Sequence, residues 1–334
     1  MVVSPGFVRV GAVKTTGSAF GDGTGASVSK GRPVRQLGLR FSRISSSGAM
    51  IAALAGGLVA APVAVSAQET ADLVPHRAVY DLSLDHASDR AGISGVDGRI
   101  VYDISGSRCE GYTSTFRLVM RIFDTQGKSQ LSDLQSSAFE LDGEYNFTVR
   151  TFANGAPIED TLGVAVHGED SIEVTLKRPE EEAVSIEGKA LFPTEHTSAI
   201  LATARASEHL LQASAFDGSE DGKVSFPTLT VIGAPIKEPA QDKAAGDPGE
   251  QNARAMDDPA EVAKIDGKRA WPVTVSYYSA NTRMEESEPE YQVSFMLYEN
   301  GITRRLRMDY GEFAVAGALK SLELHDPAPA CPTD

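Results

Sequence analysis

Apolar and polar residues alternate along most of the chain between positions 79 and 188. In the segment 113–123, an apolar set interleaves with a mostly polar one: Phe116, Leu118, Met120 and Ile122 against Thr115, Arg117, Val119 and Arg121. A period of two residues is typical of a β-strand with one buried and one solvated face. Eight segments of this kind, joined by short turns, predict an antiparallel meander.

The same pattern returns after residue 223. Five further strands are predicted, at 224–232, 271–279, 291–299, 301–310 and 312–324. Asn154-Gly155 and Asn300-Gly301 suit hairpin turns, because these residue types tolerate positive φ. The pattern therefore predicts a mainly β protein whose strands, about 12 to 14 of them, form a single antiparallel domain.

One segment, 192–211, has the spacing of a helix instead. Its entry combines Pro193, Thr194 as the expected N-cap, and Glu195 in the first turn. Apolar residues then recur at roughly helical spacing: Ile200, Leu201, Ala204, Leu210 and Leu211. Two placements are open. The helix either fills the curve of a sheet formed by the strands around it, or crosses over the outside of that sheet.

The N-terminal part has the composition of an export signal. Basic residues at Arg35, Arg40 and Arg43 precede an apolar run, 49–67, that ends in small residues. We therefore interpret 34–67 as a signal peptide cleaved after Ala67. Residues 1–33 show no sustained period, and we expect them to be an unstructured extension or to lie upstream of the true translation start. The mature domain is then 68–334, in a periplasmic location, and no membrane span is expected in it.

Charge narrows the range of partners. Residues 1–67 hold seven of the 31 Lys and Arg and one of the 46 Asp and Glu, so the remainder carries a net charge of −21. Such acidity argues against nucleic acid, whose phosphates need a basic surface. The segment 233–258 is rich in Pro, Ala, Gly and charged residues, and we expect it to be a mobile acidic insertion.

No motif in the sequence carries a recognisable catalytic chemistry. G-x-S-x-G, H-E-x-x-H and Gly-rich phosphate loops are absent, and the six histidines lack metal-ligand spacing. The segment 217–222 resembles half of a calcium loop, but position twelve is Thr228, so a polar turn is the better interpretation. Arg305 and Arg307 fall on one strand face and suit a carboxylate or an anionic headgroup. No catalytic residue, cofactor or metal site is expected.

The chain contains two cysteines, Cys109 and Cys331, both in the exported part. An oxidising compartment favours their pairing, and two cysteines allow one intramolecular connectivity. Two unpaired thiols are the alternative. A redox-catalytic pair is less favoured, because there is no C-x-x-C motif.

Several stretches resemble the EipB-like cell-envelope integrity proteins of alphaproteobacteria, long grouped as a domain of unknown function. The matching features, which span nearly all of 74–331, are LVPHRAVYDLSL at 73–84, Cys109, LFPTEHT at 191–197, MDYGEF at 308–313, and Cys331. The resemblance implies a periplasmic β-spiral of about fourteen antiparallel strands with associated helices. It also implies a disulfide between the two cysteines, a role in envelope integrity without known catalytic activity, and a shape like that of periplasmic lipoprotein carriers.

Three classes of function remain in comparison. The first is a non-enzymatic periplasmic protein that supports envelope integrity through an envelope protein or lipid component. The second is a carrier that holds a lipid or a lipidated segment in the concave face of the sheet. The third, a hydrolase, lacks any nucleophile–base pair in the sequence. An open or a filled sheet interior is the observation that best separates the first two.

Overall fold

The computed structural model describes residues 72–237, 256–280, 288–327 and 331. Most of these residues lie in strands, as the alternation predicts. The elements, in chain order, are β1 (His76–Ala87), β2 (Ile93–Ser107), β3 (Gly111–Asp124), β4 (Ser129–Leu141), β5 (Glu144–Ala153), β6 (Ala156–His167), β7 (Ser171–Arg178), β8 (Glu182–Glu187), α1 (Pro193–Arg205), β9 (Leu210–Ala215), β10 (Phe226–Ile232), β11 (Ile236–Lys237), α2 (Pro259–Val262), β12 (Arg269–Tyr277), β13 (Tyr291–Tyr298), β14 (Thr303–Asp309) and β15 (Phe313–Leu324). In this part of the chain, neither helix is long and apolar enough to cross a membrane.

Fourteen of these strands form one antiparallel sheet. Its order is β8-β7-β6-β5-β4-β3-β2-β1-β15-β14-β13-β12-β10-β9, and β11 pairs with β12 beside this path. From β1 to β8, neighbours in sequence are neighbours in the sheet, which confirms the predicted meander. The first and last strands also pair, with Ala78 opposite Leu322. The first and last strands of the chain, β1 and β15, therefore lie in the middle of the sheet, and the free edges of the sheet are β8 and β9.

Contacts between distant strands show that the sheet curls. Phe216 directly follows β9 at one edge, and its ring centroid lies 5.6 Å from that of Phe147 on β5. These strands are ten places apart in the sheet order, or about 48 Å in a flat sheet with strands about 4.8 Å apart. The sheet must curl nearly back on itself, and β6 to β8 continue beyond the contact. This arrangement agrees with the spiral that the family resemblance implies.

Helix α1 lies on the inner face of this curl. Its buried residues Ile200, Leu201 and Ala204 belong to the same hydrophobic core as inward-facing residues of β1 to β4 and β12 to β15. At its C-terminal end, the Arg205 guanidinium donates to the Glu299 carbonyl at 2.9 Å, just after β13. The first of the two placements, a helix that fills the curve, is therefore correct.

The predicted boundaries of this helix were wrong at both ends. Phe192, not Thr194, occupies the N-cap position, with Pro193 as the first helical residue. The helix ends at Arg205, because Ser207 adopts φ 60° and the Glu208 N–H donates to the Thr203 carbonyl at 3.0 Å. That bond is characteristic of a Schellman motif, in which a glycine usually takes the left-handed position.

The residues after this turn form the edge of the sheet. Leu210 and Leu211, predicted on the helix, lie on β9, which pairs with β10. Strand β9 ends at Ala215. A parallel bridge between Leu191 and Ala215 ties the chain before α1 to this edge strand.

The flanks of the predicted insertion lie among the described residues, whereas 238–255 lie outside them. On the N-terminal side, Ile236 and Lys237 pair as β11 with Ala270 and Arg269. On the C-terminal side, Asp258 caps α2 by accepting a hydrogen bond from the Ala260 N–H at 2.9 Å. Mobility stays a prediction for 238–255.

Candidate functional site

The two cysteines lie at disulfide distance. Cys109 sits in the turn between β2 and β3, and Cys331 follows β15; the two are separated by 222 in sequence, and their Cα atoms lie 5.7 Å apart. A Cα separation near 5.5–6 Å is the commonest value for a disulfide. The tail that carries Cys331 is also held by His325, whose N–H donates to the Pro75 carbonyl and whose ring lies 3.1 Å from the Asp103 carboxylate.

The position of this pair in the sheet decides which strands a bond between the two cysteines would join. A bond between an early and a late cysteine would guard the sheet edges only if β1 and β15 were those edges. Instead β1 and β15 pair with each other at the centre of the sheet order, His325 just after β15 donates to the Pro75 carbonyl just before β1, and Cys331 lies beside Cys109 in the β2–β3 turn. The pair is therefore a strap across three central strands, and the free edges at β8 and β9 lie away from it.

A buried carboxylate holds the start of α1. Glu140 on β4 is 6 % exposed and accepts hydrogen bonds from the backbone N–H groups of Thr194 and Glu195, each at 2.9 Å. The Thr194 hydroxyl donates to it as well. These N–H groups have no partner within the helix, and the helix N-terminus favours negative charge. Glu140 thus caps a helix that begins more than fifty residues later in the chain.

Burial raises the pKa of Glu140 from 4.5 to about 7, because desolvation penalises the charged form. The hydrogen bonds from Thr194 act in the opposite direction, and the nearby Glu195 charge adds to the rise. A pKa near 7 means that the charge on this carboxyl depends on pH in the neutral range.

A second contact secures the same end of α1. The ring of His167, at the end of β6, stacks on Phe192 with centroids 4.3 Å apart. Its Nε2 lies 2.9 Å from the Glu195 carboxylate, which also accepts a hydrogen bond from the Phe192 N–H at 2.9 Å. Strands β4 and β6 together fix the helix entry, so α1 is attached to the sheet by polar bonds as well as by its apolar face.

The inner face of the sheet is filled rather than open. Besides α1, it holds an aromatic cluster around Phe192, whose ring stacks on Tyr145 at 5.2 Å. Packing there is close, since a Cβ added at Gly218 would lie 2.2 Å from the Phe147 ring. Sequence reasoning left this question open, and the described residues answer it in favour of a packed core.

Charged residues on the inner side are used in structural pairs. Arg304 is fully buried, and its Nε donates to Asp257 at 2.8 Å. The other oxygen of Asp257 accepts from the Leu319 N–H at 2.7 Å, on a part of β15 that β14 does not cover. This ion pair therefore fixes the chain just after residue 255 to the central strands.

Burial along β14 agrees with the alternation predicted for its arginines, since Arg305 is exposed and Arg307 partly exposed while Leu306 and Met308 are buried. Arg305 also adopts φ 53° near an irregularity in the pairing of β13 with β14. Arg307 is bonded to Asp85 at 2.9 Å and to Asp309 at 2.7 Å. Pairing with neighbouring carboxylates, the expected behaviour in so acidic a chain, describes Arg307.

His76 and the turn at 217–222 are used in local hydrogen bonds. The described residues include no group of three or more His, Cys, Asp or Glu side chains that could hold a metal ion. His76 is buried with Nδ1 2.7 Å from the Val74 carbonyl, and burial lowers its pKa to about 4. In the segment 217–222, the Asp217 carboxylate accepts from the Ser219 N–H and hydroxyl, as in a polar turn.

Sequence reasoning missed Glu140, although a signal for it was present. Alternation along β4 places it with Ser132 and Leu134 on the inward set, where a carboxylate is out of place. An acidic residue on the buried face of a strand requires a partner, and the start of the helix supplies it.

Comparisons with known proteins agree with this architecture. The chain matches the EipB-like family over residues 67–326. It is 36 % identical over 292 residues to a Brucella abortus (strain 2308) protein named cell envelope integrity protein EipB, a match that covers 86 % of this chain and 96 % of that protein. A crystal structure from Brucella abortus, described as a beta-barrel-like protein of domain of unknown function DUF1849, has a TM-score of 0.67 and 34 % identity, covering 77 % of this chain and 100 % of that one. The protein therefore belongs to the EipB-like family, whose relative from Brucella abortus is named for cell envelope integrity.

Proposed function

We propose that the protein is a non-enzymatic periplasmic component that supports the integrity of the cell envelope by binding another envelope component. The observation that carries the proposal is the pair of Cys109 and Cys331 at disulfide distance, in a chain that matches a relative named for envelope integrity. Disulfides persist in oxidising compartments such as the bacterial periplasm. The leader predicted at 34–67 provides the route to that compartment.

The use of buried ionisable groups supports binding rather than catalysis. Glu140 caps α1, and Asp257 neutralises Arg304, so both carboxylates are engaged in holding elements together. A catalytic acid or base needs a reachable proton in a cleft. Among the described inward-facing groups, these two carboxylates are committed to structure instead.

A carrier of lipids is the alternative, and the apolar inner face favours it. Ile200 and Leu201 of α1 cover that face, so an acyl chain would enter only after the helix moved away. Displacing α1 breaks the hydrogen bonds that the backbone N–H groups of Thr194 and Glu195 donate to Glu140. Native mass spectrometry of gently purified protein tests this alternative, and a lipid that co-purifies with it repeatedly would favour the carrier.

The experiment for the proposed function is deletion of the gene in its own host, followed by challenge with detergent. We expect the deletion strain to lose viability at detergent concentrations that the parent tolerates, and the intact gene to restore survival. A version lacking 34–67 should fail to restore it, because the protein would remain in the cytoplasm. Equal detergent tolerance of parent and deletion strain would contradict the proposal.

A further inference from the structure

A groove crosses the outer face of the sheet, on the side opposite to α1. It has a volume of about 1080 Å³ and runs over β1 to β4. Its side chains, such as Asp81, Arg99 and Arg117, alternate with the buried Tyr80, Ile100 and Leu118 of the inner face, so the two faces are distinct.

Two smaller pockets, of about 270 and 180 Å³, continue the groove across β4 and β5. Arg117 lines both the groove and the larger of these pockets, and Leu131 lines both the groove and the smaller one. Five strands about 4.8 Å apart make this a channel about 19 Å long across the sheet. A site of that length suits an extended ligand rather than a single small molecule.

Paired planar side chains line the groove. Arg99 lies 2.7 Å from Asp81, and Arg117 makes two parallel bonds to Asp133, at 3.0 and 2.8 Å. Each pair holds a guanidinium and a carboxylate side by side, with the guanidinium more than half exposed and the carboxylate less so. It therefore offers hydrogen-bond donors and acceptors in a fixed plane to a ligand that carries both kinds of group.

The groove is cationic, in contrast to the protein as a whole. Four basic side chains and two carboxylates line its main part, whereas the whole chain has 31 Lys and Arg against 46 Asp and Glu. Arg121 is exposed, and within the described part of the chain it is bonded to the Ser129 hydroxyl at 3.3 Å rather than to a carboxylate. Its guanidinium is thus available for an anionic group on a ligand.

Apolar side chains form the floor between the charged rows. Val119, Phe123 and Leu131 are partly exposed there, and Phe152 lines the continuation over β5. Aliphatic and aromatic surfaces between planar polar groups suit the apolar faces of sugar rings. The strand spacing is also close to the advance of a chain by one sugar unit, so successive strands meet successive sugars.

Other polymers fit this surface less well. The backbone N–H and C=O groups of β2 to β4 are already paired with both neighbouring strands, so an extended peptide cannot add itself as a strand here. An acyl chain needs an enclosed apolar site, whereas this groove is open and half charged. Nucleic acid carries a phosphate on every nucleotide, a charge density that the groove does not match, because Arg99 and Arg117 are already paired with carboxylates.

We propose that this groove binds an extended glycan whose sugar units carry carboxylates beside hydroxyl and amide groups. Arg121 binds the carboxylate, the Arg99–Asp81 and Arg117–Asp133 pairs bind neutral polar groups, and the floor contacts the ring faces. The inference rests on the proposed function for where such a polymer is met, since cell-wall glycans of this chemistry lie in the periplasm. Binding itself is measurable with purified protein.

The test is calorimetric titration of the purified protein with peptidoglycan glycan strands freed of their stem peptides by an amidase, which leaves the sugar carboxylates free, a neutral chitin oligosaccharide of similar length, and poly-L-glutamate. We expect the carboxylated glycan to bind most tightly and to weaken as salt rises, because exposed charges are screened. Arg121→Ala should weaken binding about fivefold to tenfold, as expected for loss of a charge-assisted hydrogen bond. Arg269→Ala removes another exposed arginine, on β12, whose guanidinium lies 3.6 Å from Glu299, and should leave binding unchanged.

Three results would overturn the proposal. They are equal affinity of the Arg121→Ala and parent proteins, equal loss in Arg269→Ala, and tighter binding of poly-L-glutamate than of the glycan. Thermal melting of each variant separates loss of binding from loss of folding. If the deletion strain is detergent-sensitive but Arg121→Ala restores it fully, the groove ligand is wrong and the proposed function stands. If the strain is not sensitive while the glycan binds, the proposed function is wrong and the groove ligand stands.

Discussion

The carboxylate of Glu140 on β4 accepts a hydrogen bond from the backbone N–H of Thr194 at 2.9 Å and so caps a helix far from it in sequence. A residue just before a helix usually takes this role. Here that position is Phe192, whose ring has no acceptor and is buried in the aromatic cluster. The cap therefore joins two functions: it satisfies the helix end and fixes the helix to the concave face.

We predict that the contribution of Glu140 to the free energy of unfolding falls as pH rises. The folded pKa of about 7 lies above the ordinary 4.5, so the folded state binds more protons between these values. Its stabilising contribution is complete below about pH 4.5 and is lost as pH rises through 7, by at most about 1.4 kcal/mol per pH unit. Denaturant unfolding of the parent and Glu140→Gln proteins at pH 4.5–8 measures the difference.

The comparison with Glu140→Gln isolates this group from the buried histidines. His76 and His196 have pKa values lowered to about 4 by burial, so they add stability as pH rises towards 6.5 in both proteins. That shared contribution cancels in the difference between the two curves. Unfolding free energies that change in parallel with pH would contradict the assigned role of Glu140.

The meander was predictable from sequence, whereas the spiral was not. Alternation in segments such as Ser129–Leu141 is a local signal, and short turns dictate that consecutive strands pair. Curvature instead depends on contacts such as Phe147 with Phe216, which are distant in sequence and in sheet order. Such contacts have no periodic signature: the helix at 192–211 left a curved sheet open as one of two placements, and the family resemblance alone implied the spiral.

The end of α1 shows the limit of local signals in another way. The left-handed turn that stops the helix uses Ser207, so the glycine that marks most such ends is absent. Leu210 and Leu211 then continue an apparent helical spacing although they form a strand. Similarly, the groove required knowing that Arg99, Arg117 and Arg121 share one outer surface. Alternation predicted a solvated face for Arg117 and Arg121, but not the depth of the groove that they line together with Arg99.

The buried ion pair of Arg304 and Asp257 should dominate local stability. We predict that Arg304→Met lowers the free energy of unfolding by about 3–5 kcal/mol, because it leaves a buried carboxylate without its counter-charge. Arg307→Met is the matched control on the same strand. Its ion pairs are about 40 % exposed, so the expected loss is below about 1 kcal/mol. Similar losses in both variants, measured by denaturant unfolding, would refute the distinction.

Limited proteolysis should cut first within 238–255. Both flanks are anchored, by β11 on one side and by Asp257 and Asp258 on the other, whereas the composition between them offers little to bury. We expect two fragments that stay associated until denatured, since β10 and β12 still pair across the cut. Mass spectrometry locates the first cut, and resistance of 238–255 with cleavage elsewhere would contradict the prediction.

Export should leave Gln68 as the first residue. The basic segment, apolar run and small residues that end at Ala67 predict cleavage there. Intact mass measurement of protein from the periplasmic fraction should give the mass of 68–334, less two hydrogens if the cysteines are paired. Recovery of the protein in the cytoplasm with 49–67 still attached would remove both this prediction and the basis for a disulfide.

The last prediction concerns the strap formed by Cys109 and Cys331. Joining these residues closes a loop of more than 200 positions, so loss of the bond should lower the free energy of unfolding by about 2–5 kcal/mol. Reduction of the parent protein and the double variant Cys109→Ser/Cys331→Ser should give equal losses in thermal melting. The double variant leaves no free thiol that forms bonds between molecules.

The position of the strap also predicts where the protein will open. Without the bond, the tail after Leu324 and the β2–β3 turn should become sensitive to protease, because they are the segments that the strap joins. The sheet edges β8 and β9 should keep their sensitivity, because the strap crosses central strands. Peptide mapping under non-reducing conditions that finds both thiols free in exported protein would reject the disulfide. New cuts confined to β8 and β9 would contradict the role of the Cys109–Cys331 bond as a strap across the central strands.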